Sequence, residues 1–295
     1  MSYAALSPRL RAGRPLVVDA DFGASLRSRG LSWGNPGALG ALLRREPSAV
    51  IAHHRAETAR RVDVLSALTA DTTPRALAEV GMEHRAALLT GLAVELAQEA
   101  AEAAGRPVAV AAVLGSDLVT AIDRRRFEVE VREHAVRIAV AGAELVIVRG
   151  MGTVAELCFA VQAAVEQGLP TWAVVDQELS GEHLDELLDG LVDADAEAVL
   201  FETPTIQGAL DRLARVAEWS TRIAPGVMLA AGPDAVRGFP AELAKDWVTR
   251  GLELVDAGAR VVGGGAGTTA AHSEALAVAL RRLHPSIPPL AMAQG

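Results

Sequence analysis

The sequence predicts an α/β protein folded as one (β/α)8 TIM barrel over residues 1–295. Three observations predict it. Eight short apolar stretches alternate with helical stretches along the chain. They recur about every thirty residues, the length of one strand–helix unit in such a barrel. Several, such as Val108-Ala109-Val110-Ala111-Ala112-Val113-Leu114, are apolar throughout, as strands covered on both faces are. No shift in composition divides the chain into two domains, and 51% hydrophobic content supplies a large core.

Leu16-Val17-Val18 opens the first strand, which runs on to Asp19-Ala20-Asp21-Phe22-Gly23 and so carries two carboxylates to its C-terminal end. Residues 31–37 read as loop from their turn residues. Glu46-Pro47-Ser48 introduces a helix reaching Arg61, and its His53 and His54 read as a solvated helix surface. Residues 62–69 form the second strand, followed by an alanine- and glutamate-rich helix over 82–104. Residues 107–114 are the third strand, and 127–141 are helical. The fourth strand, 143–148, ends at Arg149-Gly150, and its helix, 153–166, carries Cys158 as a small core hydrophobe among Leu157, Phe159 and Val161. The fifth and sixth strands, 171–176 and 198–203, each deliver a carboxylate, Asp176 and Glu202. The seventh covers 226–232. Val261-Val262 then leads into Gly263-Gly264-Gly265-Ala266-Gly267-Thr268-Thr269, before a helix over 271–283. In a parallel α/β protein a glycine-rich strand-to-helix turn lets the backbone approach a ligand closely.

In such a barrel the strand C-termini converge on one face. Asp21, Glu202 and Asp176 are therefore the candidate catalytic residues, and Asp19, Arg149, Thr203, Gly264 and Thr268 the candidate substrate-binding residues. Carboxylates brought close together raise one another's pKa, which keeps a general acid protonated near neutral pH. The net charge of -9, with both signs interspersed, argues against nucleic acid as a partner and fits a small-molecule substrate. One cysteine, Cys158, excludes an internal disulfide and any site built from several cysteines. The apolar runs are rich in alanine and broken by charge, so no membrane span is expected. The first fourteen residues lack the apolar segment of a signal peptide, and a cytoplasmic location is expected. Trp33, Trp172, Trp219 and Trp247 are the main anchors available to a homo-oligomer or a protein partner, with the last two in helices, where core packing or oligomer contact is expected.

The chain resembles the homocysteine S-methyltransferase family nearly from end to end. Val17-Val18-Asp19-Ala20-Asp21-Phe22-Gly23 is similar to the family's opening strand, and residues 62–69 fall where the family has a Thr-Asn-Thr strand end. His134 and Arg137, ahead of Ala141-Gly142-Ala143-Glu144-Leu145, resemble the helix before the fourth strand. Val261-Val262-Gly263-Gly264 through Gly267-Thr268-Thr269 and His272 resembles Ile-Gly-Gly-Cys-Cys-Gly-Thr-Thr-Pro-Glu-His. The resemblance implies a barrel that moves a methyl group to homocysteine sulfur, using zinc held by three cysteines to lower the thiol pKa. In this chain those cysteine positions are Gly265, Ala266 and Thr203, so no metal and no other cofactor is expected. The family's glutamate for the substrate ammonium becomes Arg149, its second-strand asparagine becomes Leu68, and a first-strand glycine becomes Asp21. An arginine there repels an ammonium group and suits a carboxylate or phosphate, which makes the expected substrate anionic. Three functions stay open: a zinc-independent enzyme working by methyl transfer or acid/base chemistry, sulfur methylation retained without zinc or with an oxygen-ligated metal, and a non-catalytic scaffold or regulatory pseudoenzyme.

Overall fold

The computed structural model describes residues 2–32, 34–115, 123–176, 179, 181–203, 205–219, 222–231 and 241–283. Its parallel strands are β1 (Leu16–Val18), β2 (Val64–Ala67), β3 (Ala109–Leu114), β4 (Leu145–Val148), β5 (Thr171–Val175), β6 (Ala198–Thr203), β7 (Ala224–Leu229) and β8 (Val261–Gly264). They pair in chain order and close into the expected barrel, with Leu16 opposite Val261, Val17 opposite Val262 and Val18 opposite Gly263. The helices are α1 (Tyr3–Arg11), α2 (Phe22–Ser28), α3 (Pro36–Arg45), α4 (Pro47–Ala59), α5 (Pro74–Ala78), α6 (Ala86–Glu102), α7 (Arg124–Val140), α8 (Val154–Val165), α9 (Gly181–Asp193), α10 (Ile206–Trp219), α11 (Ala241–Asp256) and α12 (Ala270–Leu283). Among the described residues no helix is long and apolar enough to cross a membrane.

Three local boundaries differ from the sequence reading, and the first two have clear causes. The first strand stops at Val18 because Asp19 turns its carboxylate to the Ser66 amide, at 2.8 Å, and Asp21 caps α2 by accepting from the Ala24 amide at 3.1 Å. The expected loop after it contains the start of α3: Asn35 accepts from the Ala38 amide at 2.7 Å and Pro36 takes the first helical turn. The seventh strand begins earlier than expected, at Ala224, and ends at Leu229, while Gly232 lies outside the described residues.

Period-two alternation divides the strand residues between two cores. Val18, Val64, Ile147, Trp172, Leu200 and Val261 point into the barrel, and Val17, Leu65, Val110, Val146, Phe201 and Val262 pack under the helices. α1 closes the N-terminal end of the barrel with Tyr3, Leu6 and Leu10. The Trp172 indole, buried inside, donates to the Tyr3 hydroxyl at 3.2 Å, and that hydroxyl donates to Glu197. Tyr3→Phe therefore strands a buried donor and is expected to cost about 1–3 kcal/mol, read as a lower urea midpoint at unchanged slope.

Trp172 is thus an interior residue, and Trp247 is buried with its ring edge-on to His272 at 5.1 Å. Trp219 packs against the outer core beneath Arg215. Trp33 lies outside the described residues. Cys158 packs against the outer core from α8, and burial pushes its thiol up to about 11, as suits a packing residue.

Candidate active site

The C-terminal mouth is organised by the turn after β8. A Cβ on Gly264 would lie 2.3 Å from Thr268 Oγ1 and 2.8 Å from Ala20 Cα, so only glycine lets the ends of β8 and β1 meet. Thr268, buried, donates to the Gly265 carbonyl at 2.7 Å and accepts from the Asp21 amide at 3.0 Å. Two carboxylates then take successive amides of this turn. Glu202 Oε1, at the end of β6, accepts from the Ala266 amide at 2.9 Å, and Asp21 Oδ2 accepts from the Gly267 amide at 3.0 Å. The other Glu202 oxygen pairs with the Arg149 guanidinium at 2.7 Å.

Asp21, Arg149, Glu202 and Thr268 are therefore linked through the β8 turn, with Gly264 packed against Thr268 and Ala20. Both Asp21 oxygens are occupied, by the Ala24 and Gly267 amides, and both Glu202 oxygens, by Arg149 and the Ala266 amide. The Glu202 side chain is 13% exposed and that of Arg149 is 39% exposed. The guanidinium is thus the more exposed half of this pair. Asp176 follows β5 with an exposed side chain and has no bond to this assembly among the described residues. Thr203 is the last residue of β6. Thr69 is buried and serves the frame: its hydroxyl bridges to the Val113 carbonyl and amide, each at 2.7 Å, and its carbonyl accepts from His134 Nε2 at 3.0 Å.

Asp19 sits lower, fully enclosed, where the Ser66 hydroxyl reaches Oδ1 at 2.6 Å and the Ser66 amide reaches Oδ2. Burial pushes this carboxyl up to about 7, with the Ser66 bonds and the Arg149 charge working in the opposite direction. Facing it from α4 are His53 and His54, and here the sequence reading is corrected. Both are completely buried, not solvated. Val50, His53, His54, Glu57 and Thr58 all lie on the buried side of α4, at the three- and four-residue spacing of an inward helical stripe. That spacing, rather than the polarity of the pair, is the sequence signal of their burial.

None of the four imidazole nitrogens has a hydrogen-bond partner. The Phe22 ring covers both histidines, with centroids at 4.7 Å and 5.7 Å, and the two imidazoles lie 5.3 Å apart. Burial holds His54 down at about 4 and His53 well below its ordinary value, so both are neutral at pH 7. Burial, reinforced by the Asp19 charge, pushes Glu57 up to about 8. The Ser273 hydroxyl and the Ala20 amide oppose that rise, yet neither reaches Glu57 with bonding geometry.

These geometries overturn the expectation of no metal. One donor atom from each of Asp19, His53 and His54 lies within 4.8 Å of the other two, close enough for the three to hold an ion. The positions that the family resemblance assigns to zinc cysteines do not fit that role here. Ala266 has no donor side chain, and a Cβ on Gly265 would lie 2.8 Å from the Met228 carbonyl oxygen and 3.0 Å from the Ala230 amide nitrogen.

A closed parallel barrel with its polar assembly at the strand C-termini defines the class of fold on which many small-molecule sites are built. The particular family follows from the chain itself. The homocysteine S-methyltransferase family model matches residues 16–280, and the chain belongs to that family. No curated protein matches it in sequence. Among solved structures it is similar to the homocysteine methyltransferase MmuM from Escherichia coli. The metallated form superposes with a TM-score of 0.77 at 19% identity, over 93% of this chain and 99% of that one. The oxidized form gives 0.77 at 20% identity, over 95% and 99%. A putative phosphonomutase from Burkholderia cenocepacia shares the fold more distantly, with a TM-score of 0.51 at 15% identity over 90% of this chain and 91% of that one.

Proposed function

We propose that this protein is a methyltransferase that moves a methyl group to a small anionic acceptor at the C-terminal mouth of the barrel. The observation that carries this reading is the Arg149–Glu202 pair. Its carboxylate is bonded at both oxygens and nearly enclosed, whereas its guanidinium is 39% exposed and keeps donors for a second anion. Glu202 fixes the plane of the guanidinium, and the β8 turn, braced by Asp21 and Thr268, supports the reacting end of the acceptor. Glu202, bonded at both oxygens, is a positioning residue for Arg149, and the proton released on methyl transfer passes to solvent. Asp21 positions the turn, and Asp176 lies at the rim.

The family reaction supplies the assay. With S-methylmethionine as donor, homocysteine is compared with 4-mercaptobutyrate, which has the same thiol and carboxylate but no ammonium group. Arg149 favours the second acceptor, and a higher kcat/KM for 4-mercaptobutyrate is expected. Arg149→Leu removes a charge-assisted contact and is expected to lower kcat/KM by about 10- to 100-fold. A preference for homocysteine, or turnover unchanged by Arg149→Leu, contradicts the assignment.

A further inference from the structure

We infer that Asp19, His53 and His54 are the protein ligands of a divalent transition-metal ion of the zinc class, seated at the junction of β1 and α4, with Glu57 as an adjoining fourth group. The site does not depend on what Arg149 binds.

Unsatisfied polar atoms are uncommon in protein interiors, and each costs about 1–3 kcal/mol. All six side-chain polar atoms of His53, His54 and Glu57 are buried without a hydrogen-bond partner. Such a concentration on one face of one helix has a direct chemical account. An imidazole nitrogen that accepts no hydrogen bond still has a lone pair, and an ion satisfies several lone pairs at once. Asp19 supplies the negative charge opposite them, held in orientation by the Ser66 amide and hydroxyl at 2.8 Å and 2.6 Å. Groups of this kind, bonded to a ligand from behind, are what fix the first ligands in metal sites. Phe22 closes the other side and excludes water.

The donor set chooses the ion. Two imidazole nitrogens and a carboxylate suit zinc and its borderline neighbours, whereas magnesium and calcium prefer all-oxygen shells. Donors within 4.8 Å of one another are looser than a filled site, in which bonds of about 2.0–2.2 Å bring them to roughly 3.3 Å apart. The arrangement puts the ion on β1 and α4, not on β6 and β8, where Gly265 and Ala266 offer no donor.

The test uses the whole chain, stripped with a chelator and titrated with cobalt(II) chloride, then with zinc sulfate in competition. One cobalt per chain is expected, with visible ligand-field bands of a nitrogen and oxygen site that disappear as one equivalent of zinc is added. His53→Phe keeps the ring volume beside Phe22, and Asp19→Asn keeps an acceptor for Ser66. Each is expected to weaken cobalt affinity by more than about 100-fold and abolish the bands while circular dichroism shows an intact fold. If one variant fails to fold, the other decides alone. Absence of stoichiometric cobalt binding by the parent chain overturns the site, as do bands that survive in a folded variant.

Discussion

Gly264→Ala is expected to cost about 3 kcal/mol, the upper end for overpacking, because the added methyl has nowhere to go. On one side it meets Thr268 Oγ1 at 2.3 Å, a side chain already committed to the Gly265 carbonyl and the Asp21 amide. On the other it meets Ala20 Cα at 2.8 Å, which is backbone and cannot rotate away. Relief requires β8 to draw back from β1 at the seam where Val18 pairs with Gly263. The amides of Ala266 and Gly267 then leave Glu202 and Asp21. A fall in Tm of roughly 6 °C or more is the expected reading, accompanied by loss of anion binding at the mouth. An unchanged melt disposes of the close approach as the reason for glycine at 264.

The second large effect runs in the stabilising direction and depends on pH. In the metal-free protein Glu57 is buried without a bonded partner, and its carboxyl is pushed from an ordinary 4.5 up to about 8. Below about pH 4.5 the group is protonated whether the chain is folded or not, and it takes nothing from stability. As pH rises the unfolded chain releases this proton first, so folding is progressively penalised until the folded group ionises near 8. The full penalty is roughly 5 kcal/mol at most. Glu57→Gln keeps the shape and removes the charge. In chelator it is expected to melt with the parent at pH 4.5 and above it by a margin that grows toward pH 8. A margin independent of pH means that packing, not ionisation, separates the two. Added zinc or cobalt is expected to shrink the margin, since an ion beside Asp19 stabilises the ionised carboxylate.

A strongly costly buried carboxylate next to two unbonded imidazoles is the kind of local conflict that sequences retain at functional sites. It is also the part of the molecule that was hardest to read in advance. The barrel was legible because runs such as those of β3 and β5 have no polar face, and only a doubly covered parallel sheet accommodates that. The meeting of Asp21, Arg149, Glu202 and Thr268 was legible for the same reason, since barrel topology alone brings the ends of β1, β4, β6 and β8 together. What it could not convey is how these groups spend their bonds. Asp21 and Glu202 hold the β8 turn by its own amides, and Asp176, an equivalent strand-end carboxylate in sequence, stands outside with its side chain in solvent. The error over His53 and His54 came from treating a polar pair as a surface pair, when Val50, His53, His54 and Glu57 already had the spacing of a buried face. The three donors of the candidate metal site lie at the end of β1 and on α4, away from the positions where the family has its cysteines. Asn35-Pro36 was read as a loop for the very residues that begin α3.

The account rests on Arg149 as the group that receives an anion at the mouth, and calorimetric titration of 4-mercaptobutyrate into the parent chain, Arg149→Leu and Arg149→Lys tests this most directly. Saturable binding by the parent, up to about 10-fold weaker binding by Arg149→Lys, and about 10- to 100-fold weaker binding by Arg149→Leu is the predicted result. Equal affinity in all three proteins, each shown to be folded, contradicts it.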